Sequence, residues 1–173
     1  MEIQNKGQIW VETVIYTLIA LILIGAVLAF IAPKIQEIQD KATIEQSIEM
    51  LQSIDKIISS VVFGGPGNKR IVDIGIKKGN LIINSEEDKI IFEIKSQYIY
   101  SQEGENISIG GIIVLTEKTG SSNKIILTSD YSKYDITYGG KNESKTITQA
   151  PTPYKLSIEN KGGAKTNIDL KII

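Results

Sequence analysis

The side chains that could do chemistry in this 173-residue chain are carboxylates, amines and hydroxyls, because the sequence contains neither Cys nor His. This composition excludes thiolate nucleophiles, imidazole bases and zinc sites built from Cys and His. The remaining residue types form no recognisable set of nucleophile, base and orienting group. We therefore expect no catalytic residue, no cofactor and no metal, and an exported enzyme is the weakest hypothesis for this chain.

The acidic run Glu86-Glu87-Asp88 could suggest a calcium site. It lacks the alternating Asp/Asn spacing that supplies the ligands in calcium-binding loops. We interpret the run as a solvated turn.

The charges of the whole chain are balanced, with 19 Lys and Arg residues against 20 Asp and Glu residues and a net charge of -1. Proteins that bind nucleic acids neutralise phosphates with an excess of basic side chains. The sequence therefore predicts no nucleic-acid partner.

Two tripeptides match the acceptor pattern for N-glycosylation: Asn106-Ile107-Ser108 and Asn142-Glu143-Ser144. Both fall in or next to predicted turns. Asn106 and Asn142 are therefore candidate glycosylation sites, on the condition that this part of the chain is exported.

Residues 14–32 form an uncharged run, VIYTLIALILIGAVLAFIA, with the acid Glu12 just before it. Its nineteen residues approach the roughly 20 apolar residues that a helix needs to cross a bilayer. A buried core helix is an alternative interpretation, although such helices rarely run this long without a polar face. A secretory signal peptide is another, with Lys6 as its charged region and cleavage after Ala29.

Residues 34–63 have the three- and four-residue periodicity of an amphipathic helix. The apolar stripe consists of Ile44, Ile48, Leu51, Ile54, Ile58 and Val61. Charged residues, Asp40 among them, are assigned to the remaining faces. Because a single Pro more often kinks a helix than ends it, we expect one helix of about 54 residues and roughly 80 Å that continues through Pro33. The stripe is predicted to cover a sheet.

The Gly and Pro residues at positions 64–68 end this helix, and short strand-like runs separated by turns follow. The predicted strands are residues 71–77, 81–84, 89–95, 98–101, 111–117, 124–128, 134–138, 145–148, 153–159 and 167–172. The sequence therefore predicts an α+β fold, in which a long N-terminal helix precedes an antiparallel β-sandwich-like head domain.

The first residues carry a recognisable pattern. Lys6 and Gly7 stand directly before the apolar run, and Glu12 lies five residues after Gly7. This arrangement resembles the class III (prepilin) signal peptide of archaeal type IV pilins, although Trp10 is bulky for this region and Gln8 replaces the Phe common in bacterial pilins. The resemblance implies that prepilin peptidase cleaves between Gly7 and Gln8.

The same resemblance implies the organisation of the whole chain: a leader (residues 1–7), a transmembrane and filament-core helix (8–33), an amphipathic helix (34–63), a hinge (64–70) and a β head (71–173). It implies a structural subunit of a pilus-like surface filament that polymerises with itself through the helix. Its partners would be membrane lipid before assembly, prepilin peptidase and the pilus assembly machinery, and it would move from the cell membrane to the cell surface. The alternative is a single-pass anchored or minor pseudopilin-like surface protein with an exported β binding domain.

Glu12 is the candidate residue for assembly, because a carboxylate near a membrane helix end is costly without a partner. Cleavage after Gly7 would create a cationic α-amine at Gln8, which a staggered neighbour could place beside Glu12. Alternatively, Glu12 lies at the membrane interface and complements the positive end of the helix dipole.

Overall fold

The computed structural model describes residues 3–173, with side chains from residue 9 onward. In this part of the chain one helix precedes ten strands. Their bounds are α1 Ile3–Phe63, β1 Lys69–Ile74, β2 Asn80–Asn84, β3 Lys89–Ser96, β4 Asn106–Ile109, β5 Ile112–Thr119, β6 Ser122–Asp130, β7 Asp135–Tyr138, β8 Lys145–Thr148, β9 Tyr154–Gly162 and β10 Asn167–Ile172.

Helix α1 is continuous through Pro33 and has 61 residues, which corresponds to about 90 Å at 1.5 Å per residue. It ends where Gly65 takes a left-handed conformation (φ 81°) and its N–H donates to the Val62 carbonyl at 3.1 Å. Glycine is the usual residue for this helix ending because it lacks a Cβ. The following segment is held against the head, since the Gly67 N–H donates to the Asn160 carbonyl at 2.7 Å.

The second half of α1 forms part of the hydrophobic core. All six residues of the predicted stripe are buried, together with the inward-facing residues of the strands. The helix contacts β1 and β9 on one side and β3, β5 and β6 on the other. The core therefore has three walls, which are the stripe and the inner faces of two sheets.

The strands form a four-stranded sheet in the order β1-β9-β10-β7 and a six-stranded sheet in the order β4-β5-β6-β3-β2-β8. Neighbouring strands run antiparallel except β7 and β10, which are the parallel pair of the described strands. This architecture confirms the predicted α+β fold, with a long N-terminal helix and a head rich in antiparallel sheet.

One predicted strand, residues 98–101, is wrong. Here the Ser96 hydroxyl both accepts from the Tyr98 N–H (2.9 Å) and donates to the Tyr98 carbonyl (3.0 Å). A side chain that bonds the nearby backbone competes with a strand ladder. The chain turns, and the Tyr98 and Tyr100 rings meet edge to face, 6.3 Å apart.

One strand, β4, was not predicted, and its first residue Asn106 therefore lies in a strand rather than in a turn. The missed signal is Gly110-Gly111, a two-residue hairpin connection in which both residues have positive φ (56° and 86°). Such turns favour glycine because any Cβ is strained there. They join β4 to β5 in register, with Ile109 opposite Ile112.

Candidate functional site

The first half of α1 exposes a large apolar surface. Its most apolar 18-residue window has a mean hydropathy of 2.9, and none of that window is buried. Its large apolar side chains range from 42% exposed at Ile31 to 77% at Phe30. By length and composition the helix can cross a membrane, and its exposure distinguishes it from a core helix of the head.

The two threonine hydroxyls within this surface bond to the helix itself. Thr13 Oγ1 donates to the Ile9 carbonyl at 2.9 Å, and Thr17 Oγ1 donates to the Thr13 carbonyl at 2.6 Å. Bonds of this kind let polar residues lie in an apolar environment without an unsatisfied donor. The two threonines line a shallow groove with Val14, Leu18 and Leu21.

The candidate cleavage residues Gly7 and Gln8 lie outside the part of the chain whose side chains the structure describes. Glu12 is exposed on α1, at the start of the apolar surface. Positions 8 and 12 are four residues apart on one helix and therefore share a face.

Asp40 corrects the assignment of that residue to a solvated helix face. Its side chain is 2% exposed and accepts three hydrogen bonds where α1 meets the six-stranded sheet. The donors are Lys78 Nζ at 2.5 Å, the Gln97 N–H at 2.7 Å and Gln36 Nε2 at 2.9 Å. We call Asp40, Lys78 and Gln97 the helix–head junction.

The junction keeps Asp40 charged. Burial by itself raises the pKa of Asp40, but the hydrogen bonds from Lys78, Gln97 and Gln36 outweigh it and hold the pKa below its ordinary value of 3.8. Asp40 lies eight residues beyond Ala32, or about 12 Å along the helix axis. The junction therefore fixes the head directly above the apolar half of α1.

Sequence reasoning missed the junction because its partners are 38 and 57 residues away along the chain. One local signal was present. Asp40 lies four residues before Ile44, and therefore in line with the stripe that enters the core. A charged residue at a core-facing position indicates a buried partner.

The two glycosylation candidates occupy different settings. Asn106 begins edge strand β4 and is exposed. Asn142 is exposed in the loop before β8, where Ser144 Oγ donates to Asn84 Oδ1 at 3.2 Å.

The acidic run has a structural role at its last residue. Asp88, at φ 54°, accepts the Ile136 N–H at 2.8 Å and Lys165 Nζ at 2.6 Å. Glu86 and Glu87 are exposed, as expected of a solvated turn. Within the described residues no group of three or more Asp or Glu side chains is placed to hold a metal ion.

No family model matches this chain, and neither a curated protein nor a solved structure is significantly similar to it. Functional inference therefore depends on the chain itself. Its long N-terminal helix, half exposed and apolar and half built into a β head, fits a membrane-anchored or pilin-like protein.

Proposed function

We propose that this protein is the structural subunit of an archaeal type IV pilus-like surface filament. The observation that carries the proposal is the division of α1 into two halves. One half is fixed in the core of a β head, and the other exposes an uncharged apolar surface of bilayer length. Such a surface is unstable in water and needs either lipid or other copies of the same helix around it.

Before assembly, lipid covers the apolar half, and the protein is a single-pass membrane protein. Prepilin peptidase then removes residues 1–7, and the assembly machinery transfers the subunit from the bilayer to a bundle of helices with the heads outside. Burial of one helix by its neighbours replaces burial by lipid. The junction at Asp40 supports this arrangement, because it fixes the head at the end of the apolar half.

We assign to Glu12 the role of setting the axial register between subunits. In the processed subunit the α-amine of Gln8 is a cation, and Glu12 of an adjacent, axially shifted subunit is its counter-charge. A charge pair within an apolar bundle is sensitive to geometry, because either charge left alone there is costly. The pair would therefore favour one axial shift over others.

The second candidate is a single-pass anchored or minor pseudopilin-like surface protein that presents its β head as a binding domain. The same exposed helix supports it, because a membrane anchor requires length and apolarity but no self-association. The two candidates differ in what surrounds the helix after export.

The deciding experiment combines the mature N-terminus with the state of assembly. Cells that make the protein are sheared, filaments and membranes are separated, and intact masses are measured in both fractions. The filament proposal predicts chains that begin at Gln8 in sheared filaments. Chains that begin at Phe30, or exported chains that retain residues 1–7, would contradict the proposed processing, and correctly processed chains found in membranes alone would favour the anchored protein.

A matched pair of glycine variants tests the processing step. Gly7→Leu should block cleavage, since the peptidase must approach the backbone closely at the scissile position. Gly25→Leu is the control, because nothing lies within 4 Å of a Cβ at that position and it is remote from the cut. Normal cleavage of Gly7→Leu would contradict the proposed site.

A further inference from the structure

Strand β4 presents the first glycosylation tripeptide on the outside of the head. It is an edge strand that pairs with β5. Asn106 and Ser108 are exposed, whereas the alternate residues Ile107 and Ile109 pack against the core. Both residues that the modification requires therefore point away from the core, on the outer face of the six-stranded sheet.

That outer face carries an aliphatic surface, which we call the outer patch. It consists of Ile82, Ile91, Ile113, Leu115 and Ile126. Ile113 is 40% exposed, and the other four are half-buried. Ile113, Leu115 and Ile126 are neighbours on this face, whereas Thr128 lies between Ile113 and Ile91, and Glu93 lies opposite Ile126. A solvated sheet face is usually polar, and a cluster of aliphatic side chains on it is a surface that a covering group can bury.

The strand register places the tripeptide at the border of the outer patch. Asn106 lies opposite Leu115, Ser108 lies opposite Ile113, and Leu115 lies opposite Ile126 on the next strand. Opposite residues on one face have Cβ atoms about 4.5–5.5 Å apart. A group attached to the Asn106 amide therefore begins beside Leu115.

The second tripeptide is held differently. The Ser144 hydroxyl donates to Asn84, and the Glu143 carbonyl accepts from the Ser85 hydroxyl at 3.1 Å. These bonds attach the loop to the end of β2 and occupy the hydroxyl of its acceptor pattern. Among the described strand pairs, none sets an aliphatic residue opposite Asn142.

We propose that Asn106, and not Asn142, carries an N-linked glycan that lies across the outer patch. The donor is a glycan carried on a polyprenyl phosphate or pyrophosphate. The amide nitrogen of Asn106 bonds to the anomeric carbon, the bond from that carbon to the phosphate oxygen breaks with its electron pair on the phosphate, and one amide proton passes to a base. The proposal depends on export of the head, which is part of the proposed function.

A glycan at this position stabilises the head through its apolar faces. Sugar rings present C–H groups on one side, and their contact with Leu115, Ile113 and Ile126 removes aliphatic surface from water. The hydroxyls remain on the solvent side. The outer patch is thus covered in the mature protein without a second protein chain.

The first test is intact mass and glycopeptide mapping of the full chain purified from the cells that naturally make it. Wild type should carry an added mass at Asn106 that Asn106→Gln and Ser108→Ala both lose. Asn142→Gln is the matched control and should retain that mass. An unmodified Asn106 on an exported chain, or added mass at Asn142 alone, would overturn the proposal.

The same spectra separate this proposal from the proposed function, because they also report the N-terminus. A chain that starts at Gln8 with Asn106 unmodified leaves the filament proposal standing and removes this one. A glycan at Asn106 on a chain that retains residues 1–7 supports this proposal and contradicts the processing step of the filament proposal.

The second test asks whether the glycan covers the outer patch. The melting temperature lost in Asn106→Gln should be smaller when the change is made in a Leu115→Thr background, because the glycan then has less aliphatic surface to cover. Ile99→Thr, which alters an exposed aliphatic residue outside the patch (60% exposed), should leave that loss unchanged. An equal loss in both backgrounds would overturn the covering role.

Discussion

At the scale of single residues, two carboxylates of α1 differ in burial. Asp40 is buried at the helix–head junction. Glu12 is exposed on the surface that we propose to be buried by assembly. Removing one partner of a buried ion pair strongly destabilises the protein, because the other charge is left uncompensated. The two residues therefore allow separate tests of folding and of assembly.

Lys78→Met should destabilise the head without affecting membrane insertion. The change removes the donor at 2.5 Å and leaves the Asp40 charge less compensated, at a cost of about 1–3 kcal/mol. Thermal unfolding of the detergent-solubilised protein, followed by circular dichroism, measures the effect. Lys77→Met is the control, because Lys77 is exposed and in none of the ion pairs found among the described residues. Equal melting temperatures for the two variants would show that the junction does not stabilise the head.

The junction should also make stability depend on pH. The pKa of Asp40 in the folded protein lies below its ordinary value of 3.8, so the unfolded state binds the proton more tightly. The stabilisation is present above about pH 4 and is lost as the pH falls through the folded-state pKa. We expect Asp40→Asn to unfold at lower temperature than wild type at pH 7, with a difference that shrinks towards pH 3. A difference that stays constant over this range would contradict the assignment.

Glu12→Gln should reduce filament yield while processed monomer accumulates in the membrane. Glutamine preserves size and lowers the cost of insertion, whereas the Gln8 amine loses its counter-charge, and breaking a buried pair costs about 3–5 kcal/mol. Glu12→Asp should give an intermediate yield, because its carboxylate is one methylene shorter. Filaments are quantified after shearing by electron microscopy and immunoblotting.

Glu37→Gln is the matched control for this series. Glu37 forms an exposed pair with Lys34 at 3.0 Å, and such surface pairs contribute little. If Glu12→Gln filaments reached wild-type levels from correctly cleaved subunits, Glu12 would be an interfacial dipole partner, and the register would come from apolar packing.

At the scale of elements, α1 is one continuous helix whose two halves differ in what they contact. In the second half the apolar side chains recur on one face and pack against the sheets, whereas the first half is apolar on all sides. The turn before β2 requires a glycine at position 79. Gly79 has φ 94°, and a Cβ there would lie 2.4 Å from the Glu93 carbonyl oxygen. Close approach of the turn to β3 therefore requires glycine at this position.

Gly79→Ala should destabilise the head by at least about 1–2 kcal/mol, because a left-handed conformation is unfavourable for alanine before any clash is counted. Gly75→Ala is the control in the same connection. No atom lies within 4 Å of a Cβ at Gly75, and its φ is not positive. Melting temperatures of the two variants should separate clearly. A Gly79→Ala protein as stable as Gly75→Ala would show that the turn can rearrange freely.

At the scale of the whole molecule, the head is completed by the helix. The stripe from Ile44 to Val61 is one wall of the core. The apolar residues before Pro33 contribute nothing to that core and remain exposed. Removal of the first half of α1 should therefore make the protein soluble, and removal of the second half should damage the head.

Three shortened versions of the protein test this division. A version starting at Lys34 keeps the junction and the stripe and should be a soluble monomer. A version starting at Ala42 keeps the stripe but loses Asp40, so its melting temperature should be lower. A version starting at Lys69 exposes the inner faces of both sheets and should aggregate. Size-exclusion chromatography measures the oligomeric state of each version, and thermal unfolding measures its melting temperature. If the first and third versions were equally soluble and equally stable, this would contradict packing of the helix on the head.

Residue spacing and turn residues were enough to predict the local elements. The stripe residues were predicted from three- and four-residue spacing, and all six are buried. Strands 145–148 and 167–172 were predicted with the bounds that β8 and β10 have. These predictions succeed because side-chain periodicity and turn residues act over a few positions of the chain. The length of the apolar run likewise follows directly from the order of the residues.

Contacts between residues far apart in the chain became visible only in the folded protein. In the fold, Asp40 contacts Lys78 and Gln97, β7 pairs with β10 in parallel, and Asn106 lies beside Leu115. Local periodicity carries no information about these contacts, because each depends on how the helix and the strands are arranged in space. The fold also buries Asp40, which local spacing had assigned to solvent, since a charge can enter a core when remote groups supply its hydrogen bonds.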